Sequence, residues 1–266
     1  MRIAVIGGGF MGEALVSALL KEEVAQAPDV AVSDVAAVRR EHLASRYGVV
    51  VTDDNAKAVA GAELVVLAVK PQEFPKVAAG LRGKLEPGQT VLTIMAGVPV
   101  RRVVEELGHE AVARAMPNTA AFVGEAMSVW TAGAGVSDPG REAAARVLGA
   151  MGRELQVSEE KYLDMATAVS GSGPGYVFLF LEAFIDAAVS IGLRRDMAEA
   201  LALQTLLGSA VLARETGKHP AELRNMVTSP GGTTAAGLQV LEEAGLRGAI
   251  IEAVEAAYER AKELGG

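Results

Sequence analysis

A chain of 266 residues that is 50% hydrophobic, with a mean hydropathy of +0.28, has the apolar content for a buried core and the length for one large domain or two ordinary ones. Its net charge of −8 argues against a nucleic-acid partner, because Arg39–Arg40 and Arg101–Arg102 are isolated pairs, suited to solvated surface, and no basic stripe is present. The absence of cysteine excludes disulfides, thiol nucleophiles and thiolate metal sites.

The chain opens on RIAVIGGGFMGEALVSALL. Ile3, Ala4, Val5 and Ile6 are a short apolar run rich in β-branched residues, and beyond the glycines Met11, Ala14, Leu15, Ala18 and Leu19 recur at helical spacing. The reading is strand, tight turn, helix. Gly7, Gly9 and Gly12 fit G-x-G-x-x-G across the turn: the first permits the bend, the second lets a pyrophosphate approach, and the third lets helix pack on strand. A packing turn without a ligand would use the same glycines, so context decides. The N-terminal apolar run is broken by this turn and followed at once by Glu13, unlike a secretory leader, and the cytoplasm is the expected compartment.

Further strands are predicted over 30–33, 49–51, 64–69, 90–94, 112–115 and 127–131, with helices such as 35–47 and 99–107 between them. This alternation implies parallel β-α-β units and a doubly wound sheet, the context that the glycine motif requires. From Glu159 onward the pattern becomes helical, with helices predicted over 176–193, 197–215 and 249–264. The expected organisation is an α/β dinucleotide-binding domain over 1–158 and an all-α domain over 159–266.

The segment GYVFLFLEAFIDAAVSIGL, from Gly175 to Leu193, is apolar nearly all round. A membrane span is disfavoured because Glu182 and Asp186 lie mid-segment on one helix face, where each carboxylate costs about 2.5 to 3.5 kcal/mol on insertion scales. A buried helix is expected, and since about a hundred residues cannot cover it on every side, a second subunit is expected to cover part of it. Glu182 and Asp186 suit a polar stripe or a pairing with a neighbouring helix. His42, His109 and His219 are far apart, so no metal site is expected, and no Ser-His-Asp arrangement is visible.

The last informative stretch is TSPGGTTAAGLQVLEEAG, from Thr228 to Gly245. Pro230, Gly231 and Gly232 force an irregular turn, Thr233 or Thr234 is suited to capping, and a helix is predicted over 235–244. Converging N–H groups at such a turn suit a small carboxylate, with Ser229 and Thr234 supplying hydroxyls; an ordinary capped helix start is the other reading.

GGGFMGEA, AVKP at Ala68–Pro71, MPNTA at Met116–Ala120, SGSGPGYVF at Ser170–Phe178 and SPGGTTAAGL at Ser229–Leu238 together resemble the pyrroline-5-carboxylate reductase family, in order and over almost the whole chain. The resemblance implies the last step of proline biosynthesis: reduction of the C=N bond of 1-pyrroline-5-carboxylate by NADPH or NADH. It implies that Gly7, Gly8, Gly9, Phe10, Met11 and Gly12 bind the cofactor pyrophosphate, with Asn55 near the adenosine and Ala68, Val69, Lys70 and Pro71 near the nicotinamide half. Met95–Gly97 and Met116–Asn118, which follow predicted strands, are expected to line the same crevice, although Asn118 also suits a turn. The resemblance further places the substrate carboxylate over Ser229 and the amides of Gly231, Gly232 and Thr233, with the Thr234 hydroxyl toward the ring nitrogen as the candidate catalytic group. The helical domain is then a dimerisation domain whose partner completes the pocket, and larger rings of dimers occur in the family.

Two rivals belong to other classes. One is a Rossmann dehydrogenase of the β-hydroxyacid type, which relies on a lysine in its helical domain; here Lys161, Lys218 and Lys262 lie in no matching motif. The other is a non-catalytic nucleotide- or pyridoxal-phosphate-binding protein. Cofactor preference rests on the second strand. Asp34 lies 22 residues beyond Gly12, close to the offset of about 20 for an acid holding ribose hydroxyls, and leans the chain toward NADH. Against this, Ser33 could bond a 2′-phosphate and Arg39 or Arg40 could neutralise it, and Asp34 is also placed to cap the helix over 35–47.

Overall fold

The computed structural model describes residues 1–265 and divides into two compact units, Met1–Pro174 with the C-terminal residues from Ala256, and Gly175–Glu255. The strands are β1 Ile3–Ile6, β2 Val30–Ser33, β3 Val50–Thr52, β4 Leu64–Leu67, β5 Thr90–Thr93, β6 Val112–Met116, β7 Ala126–Ala132 and β8 Gly152–Gln156. Helices in the first unit are α1 Phe10–Lys21, α2 Ala37–Tyr47, α3 Asn55–Val59, α4 Phe74–Leu81, α5 Val100–Leu107, α6 Asp138–Ala150 and α7 Lys161–Ala166. Then come α8 Gly173–Ser190, α9 Arg195–Thr216, α10 Pro220–Met226, α11 Thr233–Glu243 and α12 Leu246–Gly265.

The sheet order is β3-β2-β1-β4-β5-β6-β7-β8, with β1 to β6 parallel. All four β1 residues are buried because helices cover both faces. Ile3 and Val5 join one apolar cluster with Leu15, Leu19 and Trp130, whereas Ala4 and Ile6 join another with Phe74, Leu81 and Leu107. Alternate residues of one strand thus serve opposite layers. Ile6 is in register with Ser33 on β2 and Leu67 on β4, so Gly7, Asp34 and Ala68 leave the sheet together at its carboxyl edge.

The sheet departs from the expected parallel arrangement at one end. β7 runs antiparallel to β6, and β8, absent from the sequence reading, pairs parallel to β7. Arg153 to Gln156 are exposed, so this edge strand carries no apolar run to announce it. The compact unit also extends past the expected boundary at 158/159. Arg114 of β6, which is buried, donates to Glu160 Oε1 (2.8 Å) and Asp164 Oδ1 (2.9 Å) and ties α7 to the sheet. The same Glu160 oxygen accepts the N–H of Val100, the first residue of α5 (2.8 Å).

In the second unit the expectation of a buried helix is not met within the single chain. α8 has no buried residue, and Phe178 and Leu179 are 63% and 68% exposed. Beside it lies a cavity of about 520 Å³ lined by Tyr176, Phe180, Leu206, Leu246 and Ile250. Too few helices surround α8 to cover a cylinder that is apolar on every side. The stretches Lys161–Ser190 and Arg195–Thr216 are long and apolar enough, by length and composition alone, to cross a membrane. Asp186 is paired with Arg195 at the start of α9 (2.7 Å), the second of the two roles open to it, a pairing with a neighbouring helix.

Candidate functional site

The glycines of the first turn have three different steric reasons. Gly7 adopts φ +105°, and a Cβ there would stand 2.7 Å from the Ala68 carbonyl oxygen. A Cβ on Gly12 would overlap the Gly7 carbonyl oxygen. Gly9 is different: its Cβ would meet nothing within 4 Å, and it precedes α1 as an N-cap without a side-chain hydrogen bond. Open space therefore lies over a helix start whose first N–H groups, at Phe10 and Met11, have no partner within the helix. A pyrophosphate fits there. The turn stands between β2 and β4, where the strand order reverses, and ligands of open α/β sheets bind outside the carboxyl ends of the strands at such a point. Phe10 is exposed and its ring lies 4.2 Å from that of Phe122.

The end of β2 faces this turn. Ser33 Oγ donates to Asn55 Oδ1 (2.6 Å), joining two of the expected cofactor residues. Asp34 accepts from the N–H of Gly8 at Oδ2 and from that of Ala36 at Oδ1, both at 2.8 Å. It does not cap α2: the N-cap is Ala36, whose N–H Asp34 takes in the loop ahead of the helix, so that the helix begins at Ala37 rather than Val35. The neighbouring arginines are not solvated surface as expected. Arg40 donates to the carbonyls of Asp34 (2.8 Å) and Val35 (3.0 Å), and Arg39 donates to the Gly8 carbonyl through Nε (2.9 Å) and Nη2 (2.6 Å).

Arg39 Nη2 also donates to Glu13 (2.6 Å), which sequence reasoning did not single out. Glu13, in the first turn of α1, is 7% exposed and takes further contacts from His42 (2.8 Å) and Tyr47 (3.2 Å). Burial by itself would raise its pKa, but the hydrogen bonds from Arg39, His42 and Tyr47 and the Arg39 charge outweigh that and lower it to about 2. The signal was present in the sequence: Arg39, His42 and Arg46 follow one another at i, i+3 and i+7, on one face of a helix.

Of the other expected cofactor residues, Ala68 continues the β4 ladder by donating to the Ile6 carbonyl (2.8 Å), and a Gly7 Cβ would lie 3.0 Å from the Val69 side chain. Lys70 is exposed and precedes the 3-10 turn Pro71–Glu73. Met95 follows β5 and is buried. Asn118 serves the turn reading: its Oδ1 accepts from Ala120 N (3.2 Å), and its Nδ2 donates to the Ser170 carbonyl (3.0 Å).

In the second unit the Ser-Pro-Gly-Gly turn leads into α11. Gly231 has φ +67°, a conformation that favours glycine, and a Cβ on Gly232 would run into Ser229 Oγ. One glycine is needed for its backbone angle, the other for the close approach of a hydroxyl. Neither threonine caps the helix. Gly232 is the N-cap, with no side-chain bond, and Thr233 and Thr234 occupy the first turn because the chain enters the helix two residues earlier than expected. The uncapped N–H groups, the exposed Ser229 and Thr233 and the half-buried Thr234 share this helix start.

A doubly wound sheet of order 3-2-1-4-5-6 with a glycine turn at its switch point defines a Rossmann-type dinucleotide-binding protein, here continued by a helical region. Residues 2–97 match the family described as NADP oxidoreductase, coenzyme F420-dependent, and residues 160–264 match pyrroline-5-carboxylate reductase dimerisation. The pyrroline-5-carboxylate reductase of Synechocystis sp. is 43% identical over 265 residues, covering 100% of this chain and 98% of that protein. The solved structure of the Coxiella burnetii pyrroline-5-carboxylate reductase covers 100% of this chain and 98% of its own at 35% identity, with a TM-score of 0.93. That of the Plasmodium falciparum pyrroline carboxylate reductase with NADP bound covers the same shares at 28% identity, with a TM-score of 0.91. The chain belongs to the pyrroline-5-carboxylate reductase family of NAD(P)-dependent oxidoreductases. Its match to the dimerisation family supports homo-oligomerisation through the helical region.

Proposed function

We propose that this chain reduces 1-pyrroline-5-carboxylate to L-proline, with the substrate carboxylate held at the Ser229–Thr234 turn. The observation that carries the assignment of the turn is its stripped helix start: two glycines with separate steric reasons, and no side-chain cap on α11. Ser229 and the N–H groups of Gly231 and Thr233 bind the carboxylate, the Gly232 N–H expected to join them being taken by the Ser229 carbonyl (3.0 Å), and the Thr234 hydroxyl lies toward the ring nitrogen. Reduced nicotinamide, when bound, supplies a hydride to the C=N carbon, and the nitrogen becomes the ring amine of proline. A protonated imine is already electrophilic, so the protein's main contribution is orientation. Thr234 positions the nitrogen and can relay a proton to it from water.

Turnover of NADH or NADPH with 1-pyrroline-5-carboxylate, and formation of proline, test the reading; turnover with a ketoacid and none with the imine would reject it. Thr234→Ala is expected to lower kcat and Ser229→Ala to raise KM. A hydrogen bond to a charged group is worth about 1.5 to 3 kcal/mol, so each effect is roughly ten- to a hundredfold. Normal kinetics in both variants would leave the turn as a plain helix start.

Both cofactors are expected to work, with NADH used better than is usual in the family. Asp34 stands at the end of β2 with its carboxylate against the glycine turn, where it suits ribose hydroxyls and repels a 2′-phosphate. Asp34→Ser is expected to shift the ratio of kcat/KM values toward NADPH. An unchanged ratio would confine Asp34 to its bonds with Gly8 and Ala36.

The exposed apolar face of α8 supports a homodimer through the helical region, and rings of dimers are a larger form of the same assembly. Light scattering is expected to give at least twice the chain mass of 27.4 kDa. An active monomer would overturn this.

A further inference from the structure

Gly8 is bracketed by two side chains of opposite charge. Its N–H is taken by Asp34 Oδ2 (2.8 Å), and its carbonyl by Arg39 (2.9 and 2.6 Å). The two meet at the junction of the glycine turn with the end of β2, beside the region where an adenosine ribose would lie in a dinucleotide cradle of this class. Arg39 holds Gly8 from its carbonyl side as Asp34 does from its N–H side, which sets a cation beside the place where a 2′-phosphate would lie, while Arg40 donates to the Asp34 carbonyl. Arg39 is already engaged: Glu13, behind the turn, holds its Nη2 at 2.6 Å.

Other groups face Glu13 from α2: His42 Nε2 at 2.8 Å, Arg46 Nη1 at 3.8 Å and the Tyr47 hydroxyl at 3.2 Å. One buried carboxylate thus compensates basic side chains that converge beside the cradle. Its charge is well maintained, since those partners hold it ionised down to about pH 2.

We propose that Glu13 is a specificity-determining residue for the dinucleotide: by neutralising Arg39 and its basic neighbours it keeps the carboxyl end of β2 unfavourable to a 2′-phosphate, and so favours NADH over NADPH. Glu13 acts on the cofactor through Arg39 and is a positioning residue. The inference rests on the proposed reading of the glycine turn as the cofactor cradle, and adds to Asp34 a second determinant, on α1.

The test is calorimetric titration of the full-length protein with NAD+ and NADP+ in the absence of substrate. Glu13→Gln keeps a hydrogen-bond acceptor and removes the charge. It is expected to raise NADP+ affinity relative to NAD+ on the order of tenfold, as one unit charge removed within several ångströms of a dianion would. Glu13→Asp keeps the charge and should leave the ratio near wild type. In the double variant Glu13→Gln/Arg39→Met a neutral pair replaces an ion pair, and the ratio should also stay near wild type. An unchanged ratio in folded Glu13→Gln overturns the proposal. So does a tenfold loss of NADP+ affinity in the double variant, which would make Arg39 a direct phosphate ligand and decides the matter even where the single variant fails to fold. Failure of the wild type to bind either dinucleotide would overturn the cradle reading itself, an outcome distinct from binding with an unaltered ratio.

Discussion

Gly9→Val is expected to weaken dinucleotide binding by about a hundredfold while leaving the protein folded. The reason lies in the different surroundings of the glycines. Gly9 has an ordinary φ of −70°, and a Cβ there meets no atom of the protein within 4 Å, so a side chain costs the fold only its preference for glycine at an N-cap, about 1 kcal/mol or less. That side chain fills the space over the first N–H groups of α1, where a pyrophosphate would sit. Loss of two charge-assisted hydrogen bonds at about 1.5 kcal/mol each corresponds to the hundredfold figure. Gly12→Ala should behave oppositely. Its Cβ would overlap the Gly7 carbonyl oxygen, and separating α1 from β1 is an overpacking cost of about 1 to 3 kcal/mol or more. Thermal melts and NAD+ titrations of the two variants distinguish the cases. A Gly9→Val protein that binds NAD+ as the wild type does would return the turn to a purely packing role.

Arg114→Ala is expected to destabilise the first unit by about 3 kcal/mol, the lower end of the range for breaking a buried ion pair from one side, because the Glu160 and Asp164 carboxylates left behind are partly exposed. Arg114 is 3% exposed and makes one hydrogen bond to each of Glu160 and Asp164. Its removal takes from both carboxylates the cation that they share. Glu160 also accepts the N–H of Val100, so the start of α5 is disturbed with it. For a chain of this size the drop in Tm is roughly 10 °C. Arg114→Met in combination with Glu160→Gln and Asp164→Asn should recover much of the loss, because neutral partners need no cation. A Tm within about 2 °C of wild type for Arg114→Ala would show that water replaces the guanidinium without penalty.

How much of this was legible in the sequence depended on whether the signal was local. β1, the glycine turn and α1 were read directly, since a β-branched run, a glycine pattern and helical periodicity lie within twenty residues. The change to an all-helical region and the apolar surface of α8 were also visible, because periodicity and composition suffice for both. β8 was not, since Arg153–Gln156 are all exposed and present no apolar face to pattern, and its place was set by the ladder from Ala126↔Gly152 to Trp130↔Gln156. The cap of α11 is also not legible locally: threonine is a good cap in isolation, but the turn closed by the Gly232 N–H on the Ser229 carbonyl leaves Gly232 as the N-cap and both threonines inside the first turn.

By itself the sequence determined the family, the doubly wound order of elements and the residue types at both candidate sites. These depend on motifs and periods that neighbours along the chain carry together. Only the tertiary structure decided what the side chains of Asp34, Arg39, Arg114 and Glu13 do, because the partners of those side chains lie 26 or more residues away, apart from the Asp34–Ala36 contact. Arg39 shows the difference most clearly. In the sequence it was half of a basic pair suited to water, yet folding set it against a carbonyl and a buried carboxylate. A charge's role is fixed by the fields and donors around it, and those are assembled by the sheet and helices rather than by adjacent residues.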